Sequence, residues 1–114
     1  MRQAGVIAAA GLYALEHNVE RLKTDHENAE RLARGLREIG LEVQLNTNMV
    51  LANVSPEQAA RLGEHLKKQD ILVLARSPMR LVTHLDVDAA GIDHALGVLR
   101  GFFAPQAARA TPAR

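Results

Sequence analysis

A chain of 114 residues makes one domain at most, large enough to hide roughly two-thirds of the surface its unfolded chain exposes. A formal charge of +1 excludes a nucleic-acid binder of the electrostatic kind, whose domain carries a clear basic excess. With no cysteine, disulfides, thiolate nucleophiles and cysteine-ligated metals are excluded, which fits a cytoplasmic setting.

The start, "MRQAGVIAAAGLYALEHNVERL", is apolar from Ala4 to Leu15 but far short of the roughly 20 apolar residues that span a bilayer. It runs into a charged helical pattern with no cleavage-type boundary, so a buried, Ala/Gly-rich helix is expected rather than a targeting signal. Such a segment is very apolar for a monomer surface and reads as one meant to be covered, by a second copy or by another domain packed on residues 2–15. Leu15, Val19, Leu22, Ala29, Leu32, Leu36 and Ile39 continue one stripe at helical period. Residues 1–40 are therefore expected to form a long helical segment, with Glu16, Glu20, Arg21, Glu27, Arg31 and Arg34 on its solvated face and Gly40 as its stop. His17 and His26 lack ligand spacing, and no metal site is expected.

Residues 41–104 read as strand-strand-helix-strand-strand-helix. "LEVQL" and "NMVLANV" alternate like strands around the turn chemistry of "NTN". "SPEQAARLGEHLKKQD" begins a helix with Ser55 as cap, Pro56 in the first turn and Glu57 on the positive end of the dipole. "ILVLAR", 71–76, reads as a buried strand, and a Ser77-Pro78 corner leads to a last strand. "DVDAAGIDHALGVLRGFF" closes with a helix capped by Asp86 or Asp88, with Ile92, Leu96, Leu99 and Phe103 inward. Residues 105–114 have little to bury and read as a disordered tail. The whole predicts an α+β fold: a small, largely antiparallel sheet covered by helices.

The last strand sits in "PMRLVTHLDVD". Alternation puts Arg80, Val82 and His84 on one face, because side chains two apart point the same way. On the residues alone, Arg80 is a strand arginine that either pairs on the surface or binds an anion. His84 is either a strand-end histidine bonded to backbone or a group orienting the arginine or a water. Asp86 and Asp88, just before a helix, read as caps rather than as an acid–base pair.

The stretches "MRQAG", "TNMV" and "RLVTH", in this order and spacing, resemble the C-terminal region of the low-specificity L-threonine aldolases. These are fold type I pyridoxal-phosphate enzymes of the β-eliminating lyase superfamily. The likeness covers residues 1–104, about the last third of such an enzyme, and implies the small domain of that fold. It implies cleavage of threonine-type β-hydroxy amino acids to glycine and an aldehyde, in a homo-oligomer with an amino-acid substrate. It also implies that Arg80 grips the substrate carboxylate through two parallel hydrogen bonds and so orients the bond to be cleaved. Arg2 would reach the cofactor of a neighbouring subunit. The family's cofactor lysine lies upstream of "MRQAG". Here Lys23, Lys67 and Lys68 all fall on charged helical stretches, where nothing would desolvate an ammonium, so no catalytic residue is assigned in this chain and no covalent cofactor is expected on it alone. Two other readings stand beside the aldolase: a non-catalytic association module working through the apolar N-terminal helix, and part of another β-eliminating or aminotransferase-like enzyme.

Overall fold

The computed structural model describes residues 2–109. In chain order the described elements are α1 (Ala4–His17), α2 (Leu22–Glu38), β1 (Val43–Asn46), β2 (Met49–Ala52), α3 (Pro56–Lys67), β3 (Met79–Val82) and α4 (Ala89–Arg109). This is the α+β fold expected from sequence. No helix among the described residues is long and apolar enough to cross a membrane.

The expected single helix over residues 1–40 is instead two helices. The Asn18 N–H closes the last bond of α1 on the Ala14 carbonyl at 2.8 Å. The next bonds, Leu22 to Val19 and Thr24 to Arg21, reach back only three residues, so the α-ladder is interrupted. Asn18 and β-branched Val19 are weak helix formers at that point, and continuity of the apolar stripe hid the break. The stripe itself splits: Ala29, Leu32 and Leu36 are buried, whereas Leu15, Val19 and Leu22 are exposed. The stop is as expected. Gly40 adopts φ 97, the Gly40 N–H donates to the Arg37 carbonyl and the Leu41 N–H to the Leu36 carbonyl, the paired bonds of a Schellman ending.

The sheet has three antiparallel strands in the order β1-β2-β3. Its rows run Val43–Ala52–Met79 and Leu45–Val50–Leu81 on the inner face, and Gln44–Leu51–Arg80 and Asn46–Met49–Val82 on the outer face. The inner face meets buried residues of α2 (Ala29, Leu32, Ala33, Leu36), α3 (Ala59, Leu62, Leu66) and α4 (Ile92, Leu96, Leu99, Phe103) in one core. Ser55 caps α3 in a reciprocal box with Gln58, and Pro56 opens the helix as expected. Two bidentate or single charge contacts, Arg31 to Asp93 at 2.7 Å and Arg100 to Glu38 at 3.1 Å, tie α2 to α4 along their solvent side.

The expected buried strand at 71–76 is corrected: the segment forms neither helix nor strand, and Leu72 and Leu74 are 82% and 59% exposed. Ile71 and Val73 still pack on the core, so the alternation is present while the strand pairing is not. At the other end α4 continues to Arg109, beyond the Phe103–Ala104 end set for it from sequence. The rest of the expected tail, 110–114, lies outside the described residues.

Candidate functional site

β3 is an edge strand, paired on one side with β2. Along it Met79 is buried, Leu81 half-buried, and Arg80 and Val82 exposed, so the alternation read from sequence holds. Arg80 stands on the outer face beside Leu51, across a row that ends at Gln44. Among the described residues it has no hydrogen bond or ion pair, in contrast to Arg21, Arg31 and Arg100, each tied to a carboxylate. Neither Asp86 nor Asp88 engages it. Asp88 caps α4, its Oδ1 accepting from the Gly91 N–H at 2.8 Å. Asp86 donates its own N–H to His84 Nδ1 at 3.2 Å, with its carboxylate 3.9 Å from the same nitrogen. His84 is thus bonded to its own turn, and nothing described joins it to Arg80.

Along the free edge of β3 runs a cleft of about 290 Å³, walled by residues 71–74 on one side and floored by Leu66, Ile92 and Leu99. It is apolar apart from Arg80, Thr83 and His84 at the strand.

Behind the strand lies a polar network that the periodicity did not reveal. Thr83, 1% exposed, donates its hydroxyl to the Asp25 carbonyl of α2 at 2.6 Å. The Thr83 N–H donates to the Asn48 carbonyl at 3.0 Å, and the Asn48 side-chain amide returns a bond to the Thr83 carbonyl at 2.7 Å. Asn28, 5% exposed, donates to the Val87 carbonyl at 3.2 Å. Asp25, 3% exposed, accepts from both terminal nitrogens of Arg21 at 3.1 and 2.9 Å. Arg21, expected on the solvated face, is therefore folded inward and its buried Nε has no partner among the described residues. The available sequence signal was Thr83 itself, a polar residue in phase with Met79 and Leu81.

The family model for beta-eliminating lyases matches residues 1–57, half of the chain. The chain belongs to the beta-eliminating lyase family. It is 47% identical over 105 residues to the low specificity L-threonine aldolase of Escherichia coli (strain K12), covering 91% of this chain and 32% of that protein. It is 33% identical over 105 residues to low-specificity L-threonine aldolase 1 of Arabidopsis thaliana, covering 84% and 29%, and 30% identical over 100 residues to the probable low-specificity L-threonine aldolase of Schizosaccharomyces pombe, covering 88% and 26%. The chain thus spans about a third of the length of the curated relatives it matches.

Lyases of this family work with pyridoxal phosphate, and the described residues do not fit a covalent site for it. Lys23 is 83% exposed in its side chain and leans on Glu27 at 3.9 Å, while Lys67 and Lys68 are exposed at the end of α3. None has the apolar enclosure that lowers an ammonium's pKa and makes the amine nucleophilic. Arg2 lies exposed just ahead of α1. Among the described residues no group of three or more His, Asp or Glu side chains could hold a metal ion.

Proposed function

We propose that this chain forms the small-domain part of a pyridoxal-phosphate-dependent threonine aldolase, and that Arg80 is its grip on the substrate carboxylate. The observation that carries this reading is Arg80 itself: a guanidinium held outward by a paired strand, beside Leu51, with no internal anion to neutralise it. A planar fork of this kind binds a carboxylate through two parallel hydrogen bonds, which fixes both position and tilt of an amino acid. Fixing the carboxylate also fixes the bond between Cα and Cβ, so the contribution of Arg80 is orientation rather than proton transfer. The reading has His84 and Asp86 shaping the turn that follows the strand, and Arg2 reaching toward the cofactor of a neighbouring subunit. The lysine that carries the cofactor comes from outside these residues.

The exposed helix α1 supports assembly as part of the same reading. None of its residues is buried; Val6, Ile7, Leu12, Tyr13 and Leu15 are each 60% exposed or more. A helix apolar all round is stable in water only when covered. We assign that cover to the cofactor-bearing domain or to a second subunit.

The test is chemical. Joined to its cofactor-bearing region, the protein should cleave L-threonine and L-allo-threonine to glycine and acetaldehyde. Release of 2-oxobutanoate and ammonia instead would mark a β-eliminating activity and contradict the aldolase reading.

A further inference from the structure

The orientation of Arg80 depends on the phase of β3, and the structure shows what sets that phase. In a strand, a slip of one residue moves every side chain to the opposite face. β3 is short, four residues, and paired on one side only, so its ladder alone specifies register weakly. Immediately after it, Thr83 is held at all three of its polar groups: hydroxyl to the Asp25 carbonyl, N–H to the Asn48 carbonyl, carbonyl to the Asn48 amide. Asn28 then secures the far side of the turn through the Val87 carbonyl. With Thr83 pointing inward, its neighbours at even positions, Arg80 and Val82, must point outward.

We infer that Thr83, locked by Asn48 and the Asp25 carbonyl, is a positioning residue that holds Arg80 in register for a carboxylate; this rests on the role proposed for Arg80 above. The lock is separable from core packing. Thr83→Val keeps the shape and removes the hydroxyl, and the Asp25 carbonyl, inside α2, retains the helical bonding open to it. Thr83→Ser keeps the hydroxyl and restores the lock. Asn48→Ala, at a half-buried turn position, removes the donor to the Thr83 carbonyl without touching the core.

The experiment uses the complete enzyme with its cofactor. For wild type, Thr83→Val, Thr83→Ser, Asn48→Ala and Arg80→Lys, kcat and KM for L-threonine are measured, together with inhibition by glycine, which has a carboxylate, and by methylamine, which lacks one. Loss of one net hydrogen bond predicts a rise of about three- to tenfold in KM and in the glycine inhibition constant for Thr83→Val and Asn48→Ala. In the same variants kcat and methylamine inhibition stay near wild type, and Thr83→Ser behaves as wild type. Hydrogen exchange of amides 79–84 should quicken in Thr83→Val. If Thr83→Val and Asn48→Ala leave KM unchanged while Arg80→Lys raises it, the positioning role is overturned and the Arg80 anchor stands. If Arg80→Lys leaves KM unchanged, the anchor fails and the positioning role with it. Equal loss toward glycine and methylamine would reveal a general structural role and would also overturn the proposal. Should Thr83→Val not fold, Asn48→Ala gives the decision on the same terms.

Discussion

Asp25→Asn isolates the buried end of the network. The carboxylate is 3% exposed and receives both terminal nitrogens of Arg21. Replacing one oxygen with an amide nitrogen leaves one bond and sets a donor against a donor. Breaking a fully buried ion pair costs about 3–5 kcal/mol. Arg21, however, keeps 27% of its side chain exposed, so its guanidinium can turn partly to water, and its bonds are then worth about 1–3 kcal/mol. Loss of a negative group in the first turn of α2 acts in the same direction, by a few tenths of a kcal/mol. At roughly 4–8 °C per kcal/mol for a small domain, Tm should fall by roughly 5–20 °C. Thermal and denaturant unfolding of wild type, Asp25→Asn, Arg21→Gln and the double variant close a cycle, with the two single effects failing to add. The interaction should persist at high salt, because the acid is shielded from ions. A cost below about 0.5 kcal/mol, the range of an ordinary surface change, or strict additivity would refute the reasoning.

Gly40→Ala should cost about 1–2 kcal/mol, since Gly40 sits at φ 97 and an alanine there meets the left-handed penalty; an unchanged Tm would show that the Schellman ending does not need glycine. Mixed with pyridoxal phosphate and reduced with borohydride, this chain should show only sub-stoichiometric label spread over Lys23, Lys67 and Lys68, and a single stoichiometric adduct would contradict the placement of the cofactor lysine elsewhere. The free chain should self-associate or bind an apolar-surface dye through α1, and Leu12→Glu should weaken both; a clean monomer in analytical ultracentrifugation without dye binding would count against an uncovered helix.

Much of this fold was legible because its local signals agree. The Ser55–Pro56–Gln58 start, the Gly40 stop and the Asp88 cap each rest on chemistry within a few residues, and each is where the sequence puts it. The outward phase of Arg80 was legible for the same reason, through strict alternation from Met79. The failures lie where tertiary context decides. Apolar periodicity cannot see the break at Asn18–Arg21, because the stripe passes through it unchanged. Residues 71–76 carry strand-like composition but stay unpaired in the structure, and composition does not specify a partner. Asp25 and Asn28 are polar residues on a helix, usually solvated; only the approach of Thr83 and Val87 from β3 and its turn buries them. A site built from four separate segments in this way leaves little trace in any one of them.

The anchoring role of Arg80 is tested most directly by Arg80→Lys in the complete enzyme, read as kcat/KM for L-threonine. An ammonium keeps the charge but loses the two-pronged geometry. Losing such a grip costs about 2–5 kcal/mol, so kcat/KM should fall by about 30-fold to several thousand-fold while cofactor content stays at the wild-type level. A kcat/KM equal to wild type at full cofactor content would contradict the assignment of Arg80 to the carboxylate.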